Sequence, residues 1–212
     1  VQNNYIRNQF EGQIDTGNMM QALIKKVQEQ GVIILNNTKV ERYFEHSDKI
    51  EIQTTHFELS ALKLIFTTNG FAKQLINEDV QPARAQALIT KPLKNLQIKG
   101  TFHLDCGYYY FRNVDNRILL GGGRNLDIKA ETTTKLAETE KIQQSLENIL
   151  KHTILPKIDF EIEHRWSGIM GVGSQKKPIV KQLSNHVYCG VRMGGMGVAI
   201  GSLIGKEVSE FF

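Results

Sequence analysis

Cysteine is scarce in this chain, with only Cys106 and Cys189 among 212 residues. Two thiols cannot build a disulfide framework, and neither sits in a C-x-x-C or other metal-ligand spacing. Both are expected to be buried free thiols, which suits a reducing cytoplasm. Long apolar runs are missing as well: no stretch approaches the roughly 20 residues that a membrane-spanning helix needs. The opening VQNNYIRNQFEGQ has neither the basic start nor the apolar stretch of a secretory signal. It also lacks an initiating Met, which predicts that further residues precede it in the natural protein. Charge of one sign is in short supply: 26 Lys and Arg against 22 Asp and Glu leave a diffuse +4. The basic pairs Lys25-Lys26 and Lys176-Lys177 are short and have no aromatics beside them, so no nucleic-acid partner is expected. Repeats, low-complexity tracts, G-x-S-x-G and G-x-G-x-x-G are all absent. The six histidines are scattered, which points to no metal site and no His-based catalytic group.

What remains is a chain that is 41% hydrophobic, enough for one or two domains with a real core. Residues 16–31 carry Met19, Met20, Leu23, Ile24 and Val27 at helical spacing, with Gly31 as the stop. VIIL (32–35) predicts a short buried strand. VERYFEH (40–46), KIEIQTT (49–55) and HFEL (56–59) alternate like hairpin strands, with Ser47-Asp48 as a turn. Residues 62–67 read as another buried strand, broken at Asn69-Gly70, and a short helix is expected over 71–77. Further strands are expected at 83–90, 101–104, 107–112, 117–121, 156–168, 179–183 and 186–191. The longest helix is expected over 132–151, capped by Thr132–Thr134, and a last one over 198–211. This mixture predicts an α+β fold in which helices cover mostly antiparallel sheet.

The most informative stretch is VYCGVRMGGMGVAIGSLIGKEV (187–208). A strand ends near Val191, Arg192 follows, and Gly194, Gly195 and Gly197 free the backbone before a helix begins. A helix start presents unpaired N–H groups and partial positive charge, which suits an anion or a developing negative charge. The alternative is a tight strand-to-helix turn whose glycines serve packing alone. The spacing does not suit the pyrophosphate loop of a Rossmann unit.

The segment resembles the flavin-contacting loop and helix at the C-terminal end of the D-amino-acid-oxidase-like (DAO) family of FAD-dependent oxidoreductases. The resemblance runs in order through EGQIDTGNMMQAL (11–23), GVIILNNTKV (31–40), LKLIFTTNGFA (62–72), PARAQALITKPL (82–93), YYYFRNVDNRILLGGG (108–123) and HRWSGIMGV (164–172). Within the family, the wording of the last two blocks is most similar to gamma-glutamylputrescine-oxidase-like amine oxidoreductases. The resemblance begins downstream of the family's Rossmann unit, so this stretch is expected to lack the main ADP-binding surface and to be inactive alone, and whether it holds FAD without that unit is left open.

The resemblance also implies domains and sites. Residues 1–79 would be the C-terminal part of an FAD-binding domain, and 80–165 a substrate-binding sheet with helices on one face. Residues 166–212 would return to the FAD-binding domain. Val40 and Thr68-Asn69-Gly70 would lie against the ADP part of non-covalent FAD. Arg192, Gly194, Gly195, Met196, Gly197 and Val198 would follow the ring, with Arg84 approaching it or held in a structural ion pair. For Arg192, a cation at the flavin's pyrimidine edge and a surface salt bridge are equal readings.

On the substrate side, Tyr108, Tyr110 and Arg112 would share one strand face, while Tyr109 and Phe111 share the other. Trp166 is expected in the core. Glycine-oxidase-like members place a carboxylate-clamping Arg where this chain has Met170, which favours an amine, or an acid bound elsewhere, over a simple α-amino acid. The function implied is oxidation of a C–N bond by hydride transfer to flavin. The other reading is a non-catalytic, small-molecule- or partner-binding descendant of the family.

Overall fold

A computed structural model of the chain describes residues 6–212. The first five residues of the expected 1–79 region lie outside the described residues. The chain forms two compact units, one made of Asp15–Pro82 with Met170–Phe212, the other of Ala83–Ile169 with residues 6–14. The fold is α+β, with mostly antiparallel sheets and few helices.

The first unit opens with helix α1 (Thr16–Glu29), whose N-cap Asp15 accepts a hydrogen bond from the Asn18 N–H at 2.9 Å. Its apolar stripe of Met20, Leu23, Ile24 and Val27 stays exposed, and no residue of the helix is buried. The expected strand at 32–35 does not form. Val32–Leu35 are exposed and have no ladder partner among the described residues, and a strand exists only by pairing.

Strands β1 (Val40–Glu45), β2 (Ile50–Thr54) and β3 (Glu58–Ala61) make an antiparallel meander, turning at Ser47-Asp48 as the sequence predicts. The third strand starts two residues later than expected because Phe57 closes the turn, accepting from the Thr54 N–H and hydroxyl. Strand β4 (Leu64–Phe66) is followed by a 3-10 turn at Asn69–Gln74 where a helix over 71–77 was expected. It pairs in parallel with β11 (Val187–Val191), which pairs antiparallel with β10 (Ile179–Gln182). Helix α3 (Gly197–Ser209) closes the unit, and its Ile204 and Val208 lie over Gly190. Ile50, Ile52, Phe66, Val80, Val187, Cys189 and Val191 form the core.

The second unit is a five-stranded sheet in the order β6-β7-β8-β5-β9, made of β5 (Gln81–Thr90), β6 (Thr101–Leu104), β7 (Tyr109–Val114), β8 (Arg117–Gly122) and β9 (Ile162–Val172). Helix α2 (Glu140–Ile149) packs on one face, burying Ile142 and Leu146 against Leu88, Tyr109, Phe111, Ile118 and Leu120. It is much shorter than the expected 132–151. The segment ahead of it is held by tertiary bonds instead: Arg84 donates to the Lys135 carbonyl, and the Thr139 N–H donates to Gln86 Oε1. Three successive threonines, weak helix formers, add little resistance to that pull. At its other end a π turn over Leu150–Ile154 replaces the last α turn.

Three further expectations are corrected. Strand β9 starts six residues later than the expected 156, after the turn that ends with Leu155 accepting from the Ile158 N–H. Trp166 is 39% exposed on that strand rather than in a core. Cys106 is exposed, in a tight turn where it adopts a left-handed φ of 53°, while Cys189 is buried as expected.

Candidate functional site

Three segments of the first unit converge around the glycine bend between β11 and α3. The first is the turn after β4, where Asn69 adopts a left-handed φ of 46°, a conformation that its short amide side chain tolerates. Its Oδ1 accepts the Met193 N–H at 3.0 Å. The second is the end of β9, where the Gly171 carbonyl accepts the Gly194 N–H at 2.9 Å. Any Cβ on Gly171 would collide with the Asn69 side chain, so these segments approach as closely as they do only because Gly171 has none. The third is the bend itself, with Arg192, Gly194 and Gly195 all at positive φ.

The bend leaves donors unspent. The Met193 and Gly194 N–H groups are taken as described, and Met196 donates back to Met193. Those of Gly195, Gly197 and Val198 find no acceptor among the described residues. Gly195, Met196 and Val198 are exposed, and Gly197 is half-buried at the first turn of α3. The Met170 sulfur stands 3.4 Å from where a Cβ on Gly195 would lie.

Arg192 is 7% exposed, and its guanidinium is engaged through Nε and Nη1. Its Nε donates to the Lys177 carbonyl at 2.8 Å, and its Nη1 donates to the Asp79 carbonyl at 2.9 Å and to Asp79 Oδ2 at 2.7 Å. Asp79 also accepts from the Ser174 N–H at 3.0 Å and the Ser174 hydroxyl at 2.5 Å. The Ser174 bonds foremost, and then the Arg192 charge, hold the Asp79 carboxyl below its ordinary range. Neither Asp79 nor Ser174 belongs to a recognisable motif, and Asp79 is 113 positions from Arg192, so nothing in the sequence singles out either.

Of the expected cofactor residues, Asn69, Arg192, Gly194 and Gly195 are therefore brought together, with Met196, Gly197 and Val198 continuing from them. Gly70 is buried and Thr68 exposed beside Asn69. Val40 is half-buried at the start of β1, against the first unit's core.

The remaining expected residues belong to the second unit. Arg84 is buried and forms a two-pronged pair with Glu131, Nε to Oε2 at 2.8 Å and Nη2 to Oε1 at 2.9 Å. Gln86 and Thr139 also donate to Glu131 Oε1. Burial opposes ionisation of Glu131, but these bonds and the Arg84 charge prevail and keep its carboxyl below the ordinary range. Tyr108 precedes β7 rather than lying in it, so strand alternation does not reach it; its carbonyl accepts from Gly123, and its ring is exposed. Within β7, Tyr109 and Phe111 point into the α2 core, leaving Tyr110 and Arg112 on the opposite face. The Tyr110 phenol lies over Gly121 of β8, and burial of that end pushes its hydroxyl up. Arg112 donates to the Ile14 carbonyl. Arg124 Nε, Asn125 Oδ1 and Ser167 Oγ are buried without a partner among the described residues. No motif announces them, because an unpaired atom exists only in a packed chain.

Comparison with known proteins finds relatives over most of the chain. A Haemophilus influenzae protein named "Probable oxidoreductase OrdL" is 22% identical over 215 positions, covering 94% of this chain and 47% of that protein. Glycine oxidase from Geobacillus kaustophilus superposes with a TM-score of 0.76 at 17% identity, covering 91% of this chain and 52% of that one. L-proline dehydrogenase from P. horikoshii gives 0.75 at 18%, covering 92% and 54%. The chain thus spans about half the length of the relatives it matches, and at these identities the solved structures establish its fold. The family model described as "DAO: FAD dependent oxidoreductase" matches residues 6–211. With that match running through nearly every element from α1 to α3, the chain belongs to the DAO family of FAD-dependent oxidoreductases.

Proposed function

We propose that the full-length protein oxidises a C–N bond of a small amine or amino acid with non-covalent FAD, and that this chain supplies the ring-facing bend and a substrate-side sheet. The observation that carries the reading is the set of free N–H groups at Gly195, Gly197 and Val198, opening from a helix start. This cradle fits the electron-rich edge of a flavin ring, because the glycines leave the backbone approachable and the helix end favours negative charge.

Bound FAD would supply the redox chemistry, accepting a hydride from the carbon beside the substrate nitrogen. The bend's N–H groups would stabilise the negative charge that results, acting as fixed donors that need no reorganisation. Thr68, Asn69, Gly70 and Val40 would border the ADP part. Tyr108, Tyr110 and Arg112 would line the substrate side. Met170 beside Gly195 brings a soft apolar side chain and no two-pronged donor for a carboxylate, which favours an amine.

The exposed stripe of α1 and the unpaired Val32–Leu35 are apolar surface that a compact protein does not normally leave open. They support a full-length protein in which further chain covers them. The test is to purify the full-length protein and record its visible spectrum. A yellow preparation bleached anaerobically by an amine is expected; a colourless protein that takes up no FAD would overturn the reading. Bound FAD that no amine or amino acid reduces would favour the non-catalytic descendant.

A further inference from the structure

We propose that Asp79 is a positioning residue for the flavin-facing bend: fastened by Ser174, its carboxylate draws the Arg192 side chain aside and so holds Met193–Val198 with their free N–H groups outward. The inference rests on the flavin reading above.

Arg192 is the first residue of the bend and adopts a left-handed φ of 64°, which a non-glycine side chain holds only when its surroundings impose it. Those surroundings are visible. Its guanidinium bonds to both the carbonyl and the carboxylate of Asp79 and to the Lys177 carbonyl. Gly173 leaves room for this arrangement, since a Cβ there would lie 2.6 Å from Arg192 Cδ and 3.0 Å from Asp79 Oδ2. Asp79 thereby joins three segments: its own, just before β5; the Gly173-Ser174 loop after β9; and the start of the bend.

The direction of the side chain matters as much as its anchoring. Arg192 lines a groove with Asp79, Lys177, Ile200 and Glu207, and none of residues 194–198 borders that groove. Its charge is paired with a carboxylate at 2.7 Å, so little of it is left to act on a ring at the bend. Stabilisation of negative charge there falls to the main-chain donors, whose direction depends on Arg192 keeping its conformation. The next two N–H groups, bonded to Asn69 and Gly171, report whether it does.

The test uses the full-length protein loaded with FAD, carrying Asp79→Ala, Arg192→Gln or both. Each single change is expected to weaken FAD binding roughly tenfold and to lower the flavin reduction potential, and the pair to do no more than either alone, as for two residues acting as one unit. Wild-type affinity and potential in Asp79→Ala, with both altered in Arg192→Gln, would overturn the proposal in favour of a cation acting directly on the ring. Effects that multiply in the double variant would overturn it too. Hydrogen exchange at the Met193 and Gly194 amides supplies a readout without flavin, expected to quicken at least roughly tenfold in Asp79→Ala as those bonds open. Unchanged exchange would refute the clamp. Should Asp79→Ala fail to fold, Asp79→Glu displaces the carboxylate with its charge intact and serves the same measurements. If the wild-type protein takes up no FAD, the flavin reading fails, while exchange in the apoprotein still decides the clamp.

Discussion

The Asn69 side-chain oxygen accepts the main-chain N–H of Met193 at 3.0 Å, tying the turn after β4 to the bend after β11 across 124 positions of sequence. Because β4 and β11 are parallel neighbours, both turns emerge at the same end of the sheet. Ligands of open α/β sheets gather at that end. The close approach of Gly171 then makes the junction intolerant of added atoms.

Gly171→Ala is therefore expected to destabilise the protein by about 1–3 kcal/mol, the usual cost of overpacking. It should also loosen FAD, because the methyl group displaces Asn69 from Met193. Adding Asn69→Gly removes the side-chain collision, leaving only the tight approach to the backbone carbon of residue 69, and suits the positive φ at that position. The double variant should regain stability in urea denaturation without regaining FAD affinity. If it recovered both, Asn69 would have no part in shaping the bend.

The Asp79 carboxyl sits below its ordinary range, with the Ser174 hydrogen bonds as the leading cause. A depressed carboxylate adds stability above its unfolded value of about 3.9 and loses it as pH falls through the folded value. Ser174→Ala is expected to raise the Asp79 value, so that the bend opens at higher pH on acidification. Proton titration of Asp79 by NMR in wild type and variant measures this directly. An unmoved titration would show that Ser174 does not hold the carboxylate.

Glu131 and Arg84 form a buried pair, with side chains 1% and 7% exposed. Removing one partner leaves an uncompensated buried charge, so Arg84→Met should cost about 3–5 kcal/mol in urea denaturation. Replacing both residues together by apolar ones should cost much less. The loss in Arg84→Met should ease as pH falls, when the orphaned Glu131 can take up a proton. A double variant as unstable as the single one would show that Gln86 and Thr139 need the carboxylate more than Arg84 does.

Met170→Arg places a two-pronged donor beside Gly195. With the full-length enzyme, it is expected to lower the KM for small α-amino acids relative to amines by roughly tenfold, the worth of one charge-assisted contact. A ratio of the two KM values that stays as in wild type would remove position 170 from the substrate side.

Much of this molecule was legible in order along the chain. Alternating VERYFEH and KIEIQTT gave the meander, the run around Gly194 and Gly195 gave the bend, and the ordered blocks from 11 to 172 gave the family, all signals carried by neighbouring residues. What misled was equally local. VIIL has the composition of a strand and no partner to pair with, and 132–139 has helical spacing but is claimed by Arg84 and Gln86 from β5.

By itself, then, the sequence determined the α+β class, the family and the position of the glycine bend, because backbone freedom and side-chain periodicity are properties of contiguous residues. Only the tertiary structure decided which way Arg192 points, which N–H groups stay free, and that Asp79 and Ser174 matter at all. Those outcomes depend on hydrogen bonds between segments some 95 to 124 positions apart. Such bonds depend on the distances and angles that folding imposes, and no pattern of adjacent residues encodes them.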